Sequence, residues 1–192
     1  MKSKIMLIDE NPSKTGMLTN SLNDAGFKVV GRISCDDDIL SGIQICKPDV
    51  LVIDMESPND YIFNQLVEIN KEHPKPIVFF SDKGEATVIE KAVKVGVSAF
   101  IVDGLTARRV KPVIELAIAR FKEMQSLYKE LYDTKANLEE RKVVERAKGI
   151  LMNKKNISED DAYKALRKIS MEQNKKLIDV ARSMIELSEL FG

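Results

Sequence analysis

The sequence predicts an α/β domain built on a doubly wound, five-stranded parallel sheet, followed by a long coiled-coil helix and a small all-α domain of three helices. Short apolar runs alternate with helical patterns over about the first 105 residues, an unbroken helical pattern follows, and three amphipathic segments end the chain. We place the α/β domain at residues 1–120, the coiled coil at 121–140 and the helical domain at 141–192.

The predicted strands are apolar on both faces, which is typical of parallel strands covered by helices on each side. They are the runs at residues 5–8, 50–53, 77–80 and 99–102, with a weaker one at 28–33. Glycine marks the ends of helical patterns between them, at Gly26 after the first and at Gly96 after the fourth. This alternation of strand and helix predicts the doubly wound sheet.

Polar side chains follow four of these runs. They are Asp9 and Glu10, then Asp54, Ser81 and Asp103. Because the carboxyl ends of parallel strands meet at one edge of the sheet, we expect these residues to form an acidic pocket. Three carboxylates, those of Asp9, Glu10 and Asp54, are ligands of the kind that Mg²⁺ prefers. Asp54 is the candidate acceptor of a phosphoryl group.

This set resembles the receiver domain of bacterial response regulators, which has a flavodoxin-like fold. The resemblance implies that Asp9 and Glu10 are its acid pair, that Asp54 in LVIDMESP is its phosphoacceptor, and that Ser81 in IVFFSDK is its hydroxyl switch. The family's lysine and proline after the fifth strand are replaced here by Asp103 and Gly104.

The departure at Asp103 leaves two interpretations of the pocket open. A further negative charge beside a phosphoaspartate is unfavourable, because like charges repel in a partly desolvated pocket. Either Asp54 is nevertheless phosphorylated, with Mg²⁺ bound, or the domain is a pseudo-receiver. A pseudo-receiver would need no cofactor and would serve as a platform for dimerisation or partner docking.

The segment after Gly104 predicts one long helix, because it contains no convincing helix breaker before about Asn156. Its apolar positions follow heptad spacing, with Lys135 interrupting one core position. They are Phe121, Met124, Tyr128, Leu131 and Leu138. A helix of about 45 residues extends roughly 70 Å and cannot bury itself on a small domain. A parallel homodimeric coiled coil explains it; the alternative is a single helix followed by a flexible linker.

Charge is divided unevenly along the chain. Residues 141–192 carry 12 Lys and Arg against 8 Asp and Glu, whereas residues 1–140 carry 18 against 22. A basic end on a neutral protein predicts a module that binds a polyanion.

Several classes of protein are disfavoured by the sequence. We find no apolar run of about 18 residues, so no membrane helix is expected. The apolar run at the N-terminus ends in acids, unlike a signal peptide, and Cys35 and Cys46 form no metal or disulfide framework. These features predict a cytoplasmic protein. Apart from the acidic pocket, no nucleophile–base pair, metal-ligand spacing or phosphate loop stands out, so we do not expect an enzyme.

The C-terminal motifs ERAKGILM, SEDDAYKALRKISM and QNKKLIDVA resemble the ANTAR domain, an RNA-binding module. The order of receiver-like domain, coiled coil and this domain resembles that of transcription antiterminators of the AmiR/NasT type. The resemblance implies a homodimer that binds paired hairpins in a nascent mRNA leader and prevents a terminator from forming. Its input would come from a histidine kinase or from a ligand-sensing inhibitor protein.

The resemblance also assigns roles within the helical domain. RNA contacts are expected at Arg146, Lys148, Lys154, Arg167, Lys168, Asn174, Lys175 and Lys176. Packing positions are expected at Ala147, Gly149, Ala162, Tyr163, Leu166 and Met171, and a platform for base stacking is the alternative for Tyr163.

Two other functions compete with RNA binding. A DNA-binding response regulator needs a helix-turn-helix whose recognition helix enters the major groove, and a first helix that continues the coiled coil argues against it. A signalling adaptor would bind protein through its C-terminal helices. Its binding would be insensitive to salt, whereas RNA binding weakens steeply as salt rises.

Overall fold

The computed structural model describes residues 2–10, 15–102 and 107–191, and it contains a five-stranded parallel sheet within them. The strands are β1 (Lys4–Asp9), β2 (Lys28–Ser34), β3 (Val50–Asp54), β4 (Ile77–Ser81) and β5 (Ala99–Val102). They lie in the order β2-β1-β3-β4-β5, and each neighbouring pair is parallel. The predicted fold class is confirmed.

Helices cover both faces of the sheet. They are α1 (Thr15–Asp24), α2 (Ile39–Cys46), α3 (Asp60–Glu72), α4 (Ala86–Lys94) and the start of α5 (Ala107–Lys155). Side chains alternate along β1: Met6 and Ile8 pack with α2, α3 and α4, whereas Ile5 and Leu7 pack with α1 and α5. Because both faces of β1, β3 and β4 are buried, these strands are nearly continuous apolar runs, which made them visible in the sequence. Strand β2, at one edge of the sheet, is only partly buried and contains Lys28 and Arg32.

The predicted long helix is also confirmed. Helix α5 is continuous over 49 residues, with Pro112 near its start. Ile114 is buried in the core of the α/β domain, and Leu151, near the other end, is buried among the C-terminal helices. The side chains at residues 122–142 between them are exposed. No helix in the described ranges is long and apolar enough to cross a membrane.

The chain divides into two compact units, Met1–Gln125 and Ser126–Gly192. In the second, the end of α5 packs with α6 (Glu159–Glu172) and α7 (Leu177–Phe191), as the sequence predicts for three helices. Their buried core consists of Ala147, Leu151, Ala162, Leu166, Val180, Ala181 and Ile185. Ser158 caps α6, since its hydroxyl accepts from the Asp161 N–H at 3.2 Å and donates to the Asp161 carboxylate at 2.7 Å.

Candidate functional site

The carboxyl edge of the sheet carries four of the five predicted pocket residues. Asp9 ends β1 and lies opposite Asp54, which ends β3; Ser81 ends β4. Glu10 follows β1, and its N–H donates to the Asp54 carbonyl oxygen at 3.3 Å. Asp103, the fifth residue, lies outside the described residues.

Asp9 has an ionic partner that the sequence did not reveal. Its carboxyl is almost completely buried, with the residue 3% exposed. An Arg32 guanidinium nitrogen lies 3.4 Å from Asp9 Oδ2, because Arg32 on β2 is in register with Leu7, two residues before Asp9. Arg32 therefore places positive charge within the acidic pocket, where it offsets part of the negative charge.

A short hydrogen-bond chain ties the pocket to the loop after β3. The Glu56 N–H donates to Glu10 Oε2 at 3.0 Å, and the Ser81 hydroxyl donates to the Glu56 carbonyl oxygen at 3.1 Å. The same hydroxyl accepts from the Lys83 N–H at 3.2 Å. Because Ser81 is engaged on both sides, a switch at this residue has to break these bonds.

The described residues do not form a ready metal site. No three side chains of His, Cys, Asp or Glu in the described ranges are grouped so that they could hold a metal ion. Arg32 and the Glu56 N–H already occupy oxygens of Asp9 and Glu10. Magnesium binding and phosphorylation of Asp54 stay predictions.

The predicted coiled-coil residues lie on the exposed part of α5. Met124, Tyr128, Leu131 and Leu138 are each at least half exposed, and Phe121 is partly buried. Two further apolar side chains, Leu127 and Tyr132, are also exposed on this segment. Large apolar side chains this exposed are typical of a surface that a partner covers.

Charge in the second unit is segregated along α6. The first turn is acidic, with Glu159, Asp160 and Asp161, whereas Arg167 and Lys168 are exposed towards the other end. Arg167 and Lys168 lie about 10 Å further along the helix, and Lys164, which pairs with Asp160, lies between the two groups. A polyanion would be repelled by the first turn and attracted to Arg167, Lys168 and the lysines that follow α6.

The turn between α6 and α7 has a defined backbone. Asn174 is in the left-handed region, with φ of 50°. The Lys175 N–H donates to the Ser170 carbonyl at 3.0 Å, and the Ser170 hydroxyl donates to the Lys175 carbonyl at 2.7 Å. Lys175 and Lys176 are exposed immediately before α7 begins at Leu177. The N-terminus of a helix favours anions, so the lysine charges and the helix dipole act in the same direction here.

Lys148 differs from the other predicted RNA contacts in its surroundings. It is buried, with the residue 7% exposed. Its ammonium donates to Glu145 Oε1 and to Glu159 Oε1, each at 2.7 Å. Those hydrogen bonds, with Glu145 the stronger influence, raise the pKa of Lys148. Lys148 therefore joins α5 to the start of α6, and the carboxylates that neutralise it would repel a phosphate.

Two other predicted contacts on α5 are exposed. Arg146 forms an ion pair with Glu189 of α7, with 2.6 Å between Nη2 and Oε1. Lys154 lies in the last turn of α5. An exposed ion pair of this kind contributes little to stability, so Arg146 can exchange Glu189 for a phosphate at small cost.

Tyr163 and Met171 are not packing residues, contrary to the sequence-based prediction. Tyr163 is 40% exposed and Met171 is 73% exposed. Together with Arg167 they are spaced four residues apart, so the three share one face of α6. We call these three residues the α6 stripe. In the packed unit, Ala162, Leu166 and Ile169 supply the core face of α6, which leaves Tyr163 and Met171 outside it.

Comparisons with known proteins identify both parts of the chain. The response regulator receiver domain family matches residues 5–115, and the ANTAR domain family matches residues 133–185. The chain is 30% identical over 182 residues to the transcriptional regulatory protein PdtaR of Mycobacterium tuberculosis, across 94% of this chain and 89% of that protein. It is 34% identical over 89 residues to the nitrate regulatory protein of Klebsiella oxytoca, across 46% of this chain and 22% of that protein.

Solved structures agree on the fold of the first unit. The receiver domain of a modulated diguanylate cyclase from Desulfovibrio desulfuricans aligns with a TM-score of 0.55 at 16% identity, across 65% of this chain and 99% of that one. NtrX from Brucella abortus aligns with a TM-score of 0.55 at 23% identity, across 67% of this chain and 29% of that one. This chain belongs to the response regulators in which a receiver domain is followed by an ANTAR domain, the family of the AmiR/NasT antiterminators.

Proposed function

We propose that this protein is an RNA-binding transcription antiterminator. It binds paired hairpins in the leader of a nascent mRNA in the cytoplasm and prevents a terminator hairpin from forming. It acts by binding and not by catalysis. The observation that carries the proposal is the exposed α6 stripe beside the lysine-rich turn before α7.

The two parts of this surface suit different parts of an RNA hairpin. Bases in a hairpin loop are unstacked and can lie against aromatic side chains or guanidinium planes, which Tyr163 and Arg167 provide. Phosphates carry charge but no sequence information, and Lys168, Lys175 and Lys176 can neutralise them. Loop bases would therefore meet the α6 stripe while the strand that enters the loop follows the lysines.

The experiment that tests RNA binding starts without an assumed target. An RNA pool of two tandem hairpins with randomised loops is enriched for binding to the full chain, and the enriched RNA serves as the probe. We expect submicromolar binding in a mobility-shift titration, with affinity falling steeply as salt rises. Failure to enrich any RNA, or an affinity that salt does not change, would contradict the proposal and favour a protein-binding adaptor.

We expect the replacement of Tyr163 by alanine to weaken RNA binding by about 1–3 kcal/mol, the usual contribution of one base stacked on an aromatic ring. Tyr163→Phe should bind like the wild type, since it keeps the ring. The measurement is the same mobility-shift titration. Tyr61→Ala, at an exposed tyrosine of α3, is the matched control. If Tyr163→Ala binds like the wild type, Tyr163 is not part of the RNA site.

A homodimer would engage both hairpins at once. The exposed apolar positions of α5 follow the heptad spacing of a coiled coil, which would bring two helical units into one molecule. Binding of the first hairpin then raises the effective concentration of the second unit at its own hairpin. We propose that the coiled coil makes two weak sites into one strong one.

The input to the receiver domain can be tested at Asp54. The enriched RNA is titrated with and without acetyl phosphate and Mg²⁺, using the wild type and Asp54→Ala. If a histidine kinase supplies the signal, the phosphodonor should increase wild-type affinity and leave Asp54→Ala unchanged. Because Asp103 stands where the receiver family has a lysine, we expect tight binding without the donor, with a ligand-sensing inhibitor protein as the partner. A tenfold gain that depends on Asp54 would contradict this expectation.

A further inference from the structure

Lys148 is a lysine that is buried although it lies in a strongly basic segment. It is 7% exposed, whereas the carboxylates that it contacts, on Glu145 and Glu159, remain more than half exposed. One carboxylate comes from its own helix, one turn earlier, and the other is the first residue of α6. The ammonium therefore bridges two helices at the point where α6 begins.

We propose that Lys148 is a positioning residue for RNA binding, which fixes the start of α6 on α5 and makes no contact with RNA itself. This inference rests on the proposed function. Its physical basis is that a largely buried lysine side chain with two carboxylate partners favours one placement of α6, because rotation or sliding of α6 moves Glu159 away from the ammonium. The start of α6 is thereby held in one register relative to α5.

The register of α6 matters because the α6 stripe lies on the same helix. Tyr163 is one turn from Glu159, and Arg167 is one turn further along. A rotation of α6 about its axis turns these side chains away from the bound loop while the basic residues of the turn before α7 keep their charge. Loss of the Lys148 bridge should therefore weaken base contacts and leave the phosphate contacts of Lys175 and Lys176 in place.

Salt dependence separates a positioning role from phosphate contact. A lysine that neutralises one phosphate contributes about one unit to the slope of log affinity against log salt. We expect Lys148→Met, which keeps the length of the side chain without its charge, to weaken binding of the enriched RNA by roughly tenfold with an unchanged slope. A slope lowered by about one, or an unchanged affinity, would overturn the proposal.

The variant Glu159→Gln should change RNA affinity in opposite directions depending on whether Lys148 contacts RNA or positions α6. It provides the test if Lys148→Met does not fold. If Lys148 contacted RNA, removal of a competing carboxylate would strengthen binding. If Lys148 positions α6, Glu159→Gln should weaken binding several-fold. Glu186→Gln, at an exposed glutamate of α7, controls for the change of net charge. Stronger binding by Glu159→Gln than by Glu186→Gln would overturn the proposal.

A readout without RNA distinguishes failure of this inference from failure of the proposed function. Amide hydrogen exchange is measured on the full chain for three proteins: the wild type, a variant without the bridge, and Glu186→Gln. The bridge variant is Lys148→Met or, if that variant is unfolded, Glu159→Gln. We expect faster exchange in the first turns of α6 in the bridge variant and wild-type rates in Glu186→Gln. If α6 exchanges at the wild-type rate without the bridge, the positioning role is wrong whether or not the protein binds RNA.

Discussion

Replacement of both Lys175 and Lys176 by alanine should weaken RNA binding by roughly tenfold or more near physiological salt and lower the salt slope by about two units. Both lysines are exposed in the turn before α7, and the N-terminus of that helix adds to their attraction for a phosphate. The fold should not change, because neither side chain contributes to the core of the second unit. Mobility-shift titrations of the enriched RNA at several salt concentrations measure both quantities.

The control for this double variant removes the same charge elsewhere. Lys28→Ala with Lys71→Ala changes two exposed lysines of the first unit and leaves the second unit untouched. We expect wild-type affinity and slope from it. Equal loss in both double variants would mean that net charge, and not the turn before α7, governs binding. A titration of the Lys175 and Lys176 variant that matches the wild type would remove these lysines from the RNA site.

Replacement of Leu131 by glutamate should convert the proposed dimer into monomers. Leu131 is 51% exposed within one chain, so the substitution adds no buried charge to the monomer. In a coiled coil the same position faces the partner helix, where two carboxylates would lose water against apolar side chains at a cost of several kcal/mol. Sedimentation velocity of the full chain measures the mass of wild type and variant at matched concentrations.

A second substitution tests whether the effect belongs to the apolar seam. Asn137→Glu introduces the same charge on α5 at a position outside the heptad core. It should leave the wild-type mass unchanged. A dimer that survives Leu131→Glu would contradict the coiled coil, and dissociation by both variants would point to charge repulsion along the whole helix.

The two predictions are linked through the number of hairpins in the RNA. Monomeric Leu131→Glu should bind a single hairpin like the wild type but lose the additional affinity for two hairpins. The Lys175 and Lys176 variant should be weaker on both RNAs. This pattern separates the contribution of each RNA surface from the contribution of dimerisation.

The architecture could be predicted because local patterns are sufficient for it. A strand that is buried on both faces gives a nearly continuous apolar run in the sequence. The long helix gives a heptad pattern that no helix breaker interrupts. The cap at Ser158 was visible because its partner, Asp161, lies three residues away. The two domain families were visible for the same reason, since their motifs are contiguous stretches of sequence.

The ionic contacts could not be predicted in this way. Arg32 and Asp9 are 23 residues apart and meet because β1 and β2 are paired, and Lys148 and Glu159 meet because α6 folds back onto α5. In the sequence, Lys148 is one of many lysines in a basic segment, and most lysines are exposed.

The exposure of the α6 stripe needed the packing of the whole unit. An aromatic residue next to core positions can lie inside or outside the core, and a rotation of about 100° per residue decides which. Local residue patterns and contiguous motifs were enough to predict the strands, the helices and the family. Burial and charge pairing depend on contacts between residues that are distant in sequence, and only the packed helices and paired strands establish those contacts.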